Sequence, residues 1–210
     1  RGALMLRRYS IMAAGFLALV LGGLGAMVFF APEQGQFAQC RETSIAGGSG
    51  AIGGPFTLTD HTGTQVTQAD FADRPVLLYF GYTFCPDVCP FDNARNAEAV
   101  NLLDERGYDV TPVFISVDHG RDTLEGLAEF VSFMHPKMIG LTGTEQQLRD
   151  AARAYRAYYA VQDTDDEFYL IDHSTFTYLN LPGHGFVELF RREATPQQMA
   201  DRVACFIDNA

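Results

Sequence analysis

The chain has 210 residues, enough for one domain plus a further segment. Hydrophobic residues make up 47% of it, ample for a core, and the net charge is −11. So acidic a surface repels nucleic acid and anionic lipid, counts against nucleic acid as a partner, and suits metal cations or basic protein patches.

Arg1, Arg7 and Arg8 precede an uncharged stretch from Ser10 to Ala31. At roughly 20 residues it is long enough to cross a bilayer as a helix. The arginines lie on one side only, which places the N-terminus in the cytoplasm and the remainder outside. A cleaved signal peptide is the alternative, but its apolar core is usually about 7–15 residues long. We therefore expect residues 1–31 to be a cytoplasmic N-terminus and a single-pass anchor in a bacterial inner membrane. Residues 32–54, with the run Gly47-Gly48-Ser49-Gly50-Ala51-Ile52-Gly53-Gly54, read as a tether, and residues 55–210 as a domain in the periplasm.

Pro55–Asp60 alternates like a strand, and Thr64–Thr67 returns after the turn residues His61-Thr62-Gly63, giving a hairpin. Val76–Phe80 is a continuous apolar run, as in a strand buried on both faces. A helix is expected from about Pro90 to Arg106, with Gly107 ending it. Val113–Val117 is a second buried strand. Asp122-Thr123-Leu124-Glu125 opens a helix stopped by Pro136, and Met138–Leu141 reads as a third strand. Thr144 and Gln147 cap a helix expected to run to about Tyr158. Strands are expected at Phe168–His173, Thr175–Leu179 and Gly185–Phe190, and Thr195-Pro196-Gln197-Gln198 starts a final helix. Alternating strands and helices predict an α/β fold: a central sheet flanked by helices. The cysteine pair after the first buried strand makes it thioredoxin-like.

That pair stands in Gly81-Tyr82-Thr83-Phe84-Cys85-Pro86-Asp87-Val88-Cys89-Pro90. A helix start favours negative charge and hence thiolate over thiol. If the helix began near the motif, a spacing of four would bring both sulfurs to about the same face, able to chelate one ion or close a small disulfide. Thioredoxin-type exchange normally uses two intervening residues rather than three. The remaining cysteines, Cys40 and Cys205, lie at opposite ends of the domain. In an oxidising compartment they are candidates for a disulfide, the alternative being two unrelated thiols.

A third ligand would favour metal over simple exchange. Of the five histidines, His61 and His135 read as exposed and His184 as a turn residue. His119 follows a strand that could bring it near the motif. His173 ends an apolar strand, where a histidine without a partner is costly. By residue type alone, a lone histidine is more often structural than a ligand.

Gly81–Pro90, Ile115-Ser116-Val117-Asp118 with Arg121-Asp122-Thr123, and Asp172-His173-Ser174 resemble, in order and spacing, the three signature blocks of the Sco/SenC family. The resemblance runs from about Gly54 to the C-terminus. It implies a membrane-anchored thioredoxin-like metallochaperone that helps to assemble the dinuclear copper centre of cytochrome c oxidase. Its copper ligands, for Cu(I) or Cu(II), would fall on Cys85, Cys89 and His173. The implied partners are the copper-bearing oxidase subunit and an upstream periplasmic copper donor. The family commonly has proline where this chain has His119. Peroxiredoxins and glutathione peroxidases share the scaffold, but their single-nucleophile motifs do not match. The rival reading makes Cys85 and Cys89 the redox-active pair of a thiol-disulfide oxidoreductase, reducing the apo-oxidase cysteines or sensing redox state, with no need of a metal.

Overall fold

The computed structural model describes residues 12, 15, 17, 19–21, 35–42, 49–162 and 169–210. The expected anchor falls largely outside the described residues. Those of its residues that are described, Met12, Gly15, Leu17, Leu19, Val20 and Leu21, are helical and exposed. Among the described residues, no helix is long and apolar enough to cross a membrane. The chain divides into two compact units, residues 1–38 and 39–210.

The second unit is built on a seven-stranded sheet. Its strands are β1 (Thr57–Asp60), β2 (Gln65–Thr67), β3 (Val76–Gly81), β4 (Thr111–Ser116), β5 (Ile139–Thr142), β8 (Thr177–Leu181) and β9 (Gly185–Phe190), in the order β2-β1-β5-β4-β3-β8-β9. β3, β4 and β5 are mutually parallel and central, while β8 and β9 join antiparallel beside β3 and the β1–β2 hairpin beside β5. Every residue of β3 and β4 is buried, as their apolar runs require. Two short strands, β6 (Tyr159–Val161) and β7 (Ile171–His173), form a separate two-stranded sheet.

Four helices cover the sheet: α1 (Val88–Glu105), α2 (Leu124–Met134), α3 (Glu145–Ala154) and α4 (Pro196–Asp208). α1 packs on α4, α2 on β5 and α3 on β1. Thr123, Thr144 and Thr195 cap the last three, each hydroxyl accepting a backbone N–H in the first turn. At the end of α1, Gly107 takes φ 88°, the left-handed conformation its sequence position suggested.

The expected boundaries shift where tertiary contacts intervene. α1 begins at Val88 rather than Pro90, so Pro90 sits in a first turn where its missing N–H costs nothing. α3 ends at Ala154, short of Tyr158, because Arg156 turns left-handed at φ 51°. The chain then enters β6, a strand the sequence did not suggest. Residues 163–168, the last of which opens the next expected strand, lie outside the described residues. Within the expected tether, Ile52 is buried and the Gly53 N–H donates to the Ala154 carbonyl at 2.8 Å.

Cys40 and Cys205 are joined, with Cα atoms 5.7 Å apart, inside the range disulfides allow. The bridge ties the segment before β1 to α4.

Candidate metal centre

The site forms where β3 hands over to α1. Cys89 is the second residue of α1, where the sequence had put the helix start just after it, while Cys85 lies in the preceding loop. The loop folds its sulfur back over the helix start, where Cys85 Sγ accepts the backbone N–H of Cys89 at 3.4 Å. Gly81, the last residue of β3, makes room. A Cβ there would stand 2.8 Å from Cys89 Sγ and 3.0 Å from both Phe114 Cε2 and Tyr79 Cε1.

The third group comes from β7. His173 Nε2 lies 3.3 Å from Cys89 Sγ, and His173 Nδ1 lies 3.0 Å from the Ser174 carbonyl. A carbonyl can only accept, so the proton sits on Nδ1 and the Nε2 lone pair faces the sulfur. Tyr79 and Tyr82 meet the imidazole edge-on, with ring centroids 6.0 and 5.8 Å away. Below, the Tyr79 hydroxyl donates to buried Asp92 at 2.9 Å. Cys85, Cys89 and His173 thus bring two Sγ and one imidazole nitrogen within 4.8 Å of one another, the three-group metal-ligand cluster found among the described residues.

The two thiols are electrostatically unequal. A hydrogen bond from the Cys89 thiol pulls the Cys85 thiol down to about 3 against the opposing effect of burial, with the Cys89 and Asp87 N–H groups assisting. Cys89 is pushed far up, by that same bond to Cys85 and by burial. The pair therefore holds one proton and one negative charge near neutrality, with the charge on the sulfur facing the helix N-terminus.

The other histidines divide differently from expectation. His135 is buried rather than exposed; its Nδ1 accepts the Lys137 N–H at 3.1 Å and its Nε2 lies 3.3 Å from Asn101 Oδ1. His61 is half-buried, its Nδ1 accepting the Gly140 N–H at 3.2 Å. His135 thus uses both ring nitrogens, on a backbone and an amide partner, and His61 uses Nδ1 on a backbone partner, none of which a local pattern announces. His184 is an exposed turn residue, and His119 is exposed and outside the cluster. Tyr79 and Tyr82 were not anticipated as walls of the site. Alternation along β3 offered the signal for Tyr79, since residues 79 and 81 share a face.

A family model described as SCO1/SenC matches residues 46–208. The chain belongs to the SCO1/SenC family. Protein SenC of Rhodobacter capsulatus is 52% identical over 198 residues, covering 94% of this chain and 89% of that protein. The mitochondrial SCO1 homolog of Homo sapiens is 41% identical over 160 residues, 75% of this chain but 53% of the human protein. Among solved structures, Arabidopsis thaliana ScoI with copper bound is similar at a TM-score of 0.72 and 41% identity, over 75% of this chain and 99% of that one. Yeast Sco1 with copper bound has a TM-score of 0.72 at 32% identity, over 76% of this chain and 90% of that one. The fold of this SCO1/SenC chain is thus thioredoxin-like. Its donor set fits the metal those relatives hold: thiolates select soft Cu(I), and imidazole suits copper in either valence.

Proposed function

We propose that this chain is a membrane-anchored copper carrier that loads the dinuclear copper site of cytochrome c oxidase, with Cys85, Cys89 and His173 as the ligands. In this reading residues 1–31 anchor it in the bacterial inner membrane, residues 32–54 connect, and residues 55–210 work in the periplasm. The observation that carries the reading is the convergence of two sulfurs and one imidazole nitrogen within 4.8 Å. The three signature blocks supply the acceptor, the copper-bearing oxidase subunit, and imply an upstream copper donor.

The chemistry follows from the residues. Cys85 is already a thiolate and His173 already presents a lone pair, so loading displaces only the proton on Cys89. The Nδ1–H bond to Ser174 holds the imidazole in the ligating tautomer. Three protein ligands leave a place at the metal for a group of the acceptor, so transfer can proceed by ligand exchange without a bare-ion stage.

The rival is a dithiol reductase. The low pKa of Cys85 favours it: the Cys85 thiolate would attack one sulfur of a partner disulfide, and Cys89 would resolve the mixed disulfide. The partner leaves as a dithiol, the chain as a Cys85–Cys89 disulfide, and an external dithiol must restore it. Copper titration with X-ray absorption on wild type and His173→Ala separates the two. A carrier shows sulfur and nitrogen scatterers in wild type, loses nitrogen in the variant, and leaves oxidase in His173→Ala cells short of copper. Normal copper loading of the oxidase in those cells would make the reductase the better reading.

A further inference from the structure

His173 is placed by an element outside the main sheet. Among the described residues β7 pairs only with the three-residue β6, so the ladder that fixes β3 does not extend to it. Its position relative to the cysteines must be set by other contacts; besides those of Tyr79 and Tyr82, a set of them comes from the turn between β4 and α2.

One arm of that turn grips the histidine hairpin. Arg121 Nη1 donates to the Tyr169 carbonyl at 2.8 Å, and the guanidinium stacks 3.5 Å from the Tyr169 ring centroid. The Tyr169 hydroxyl donates to Asp118 Oδ1 at 2.7 Å, while Arg121 Nε donates to Asp118 Oδ2 at 2.6 Å. Gly120 leaves space for this closure, since a Cβ there would stand 3.1 Å from the Tyr169 hydroxyl. The other arm grips the cysteine loop. Asp122 accepts the Thr83 N–H at 3.0 Å and the Thr83 hydroxyl at 2.6 Å, and takes a third bond from the Ser116 hydroxyl at the end of β4. Between the arms, the Asp122 N–H donates to the Asp118 carbonyl at 3.1 Å. Directly across, the Ile171 N–H donates to the Tyr82 hydroxyl at 3.3 Å.

We infer that the turn Asp118–Asp122 is a bracket that sets the separation of the cysteine loop from the His173 hairpin, with Arg121 as its positioning residue. The inference rests on the copper-site reading above. It gives the second signature block a role, although that block contributes no ligand. Asp118 and Asp122 are both buried and Arg121 nearly so, a set of fixed, charge-assisted contacts suited to holding geometry. Arg121 is matched to the task because its fork reaches Asp118 and the Tyr169 carbonyl while its face covers the tyrosine ring. Lysine offers neither the plane nor the fork.

The test compares wild type, Arg121→Met and Tyr169→Phe. In metal-free Arg121→Met, amide exchange at Ile171 and Ser174 is expected to accelerate about tenfold or more, while Leu78 and Ile115 in the central strands stay protected. Copper(II) affinity should fall about 10–100-fold, as for other groups that orient a ligand, with an EPR spectrum moved toward that of His173→Ala. Tyr169→Phe, which keeps the stack and loses one hydrogen bond, should show the same changes to a smaller degree. In a His173→Ala background, Arg121→Met should add little further loss, because the residue acts through the histidine. Equal losses in both backgrounds, or unchanged exchange at Ile171 and Ser174 in both variants, would overturn the bracket. If His173→Ala matched wild type in copper binding, the copper-site reading would fail instead, while the exchange measurement would still decide whether Arg121 holds the hairpin.

Discussion

Gly81 presents only a hydrogen toward Cys89, and the site depends on it. A methyl group there meets a sulfur and two aromatic rings at 3.0 Å or less, all buried, the two rings carried by the central strands. Gly81→Ala is therefore expected to destabilise the fold by about 1–3 kcal/mol and to weaken copper binding, because Cys89 is the easiest neighbour to displace. Urea unfolding and copper titration on the same variant check both. The unequal thiols give a second expectation. With the Cys40–Cys205 bridge intact and metal absent, absorbance at 240 nm should report one thiolate from pH 5 to 8. That signal disappears only as the pH falls through about 3, where Cys85 takes up its proton. A lowered pKa means that charge is present above it. Cys89, shifted the opposite way, adds no second step near the ordinary thiol range. Two thiolates appearing together near pH 8–9 would contradict the assignment. At this scale the sequence was generous with the cysteines, whose motif and position after a buried strand are local. It was silent on Tyr82 and Asp92, whose part depends on which side of a loop or helix faces the site.

Helix starts were legible because capping is a matter of four consecutive residues. Thr144 with Gln147 and Thr195 with Gln198 form the reciprocal boxes their spacing suggested. Thr195→Ala should cost about 1 kcal/mol in chemical denaturation. Helix ends were less legible. α3 stops where the Ala157 N–H turns back to the Ala152 carbonyl at 2.8 Å, with Arg156 in the left-handed position that glycine normally fills. Nothing in the side chain of an exposed arginine announces that. Arg156→Gly should accordingly raise stability by about 0.5–1 kcal/mol, as relief of the left-handed strain exceeds the entropy glycine loses. A drop in stability would mean that the arginine side chain makes a compensating contact. β6 was missed for a related reason: three residues have no periodicity to read, and Tyr159–Val161 is a strand only because β7 lies beside it. α1 was located by its punctuation rather than its pattern, since Asp92, Asn93 and Asn96 occupy its buried side. Their partners are the Tyr79 hydroxyl, the Cys89 carbonyl and the Thr177 hydroxyl.

For the whole molecule, alternation of strands and helices indicated a covered sheet, but not that the N-terminal hairpin adds beside β5 while β8 and β9 add beside β3. Strand order depends on contacts far apart in sequence, which local pattern cannot encode. The bridge between Cys40 and Cys205 spans 165 residues. On the chain-entropy account, closing a loop that long contributes about 5 kcal/mol. Replacing both by serine should lower stability by about 2–5 kcal/mol, read in denaturant with copper binding retained, since the bridge lies apart from the ligand cluster. Thiol counting on the native, metal-free protein should find Cys85 and Cys89 alone among the cysteines.

The bridge also changes the connectivity of the molecule. The stretch between Cys40 and β1 has both of its ends fastened to the folded unit, one through sulfur and one through the sheet. A single proteolytic cut inside that stretch would not release the residues before Cys40. They would stay joined to α4, and a gel run without reductant should show one intact mass that separates into two only when thiol is added. Whatever holds the N-terminal end of this protein therefore keeps hold of its metal-binding unit through a nick that would set an unbridged protein adrift.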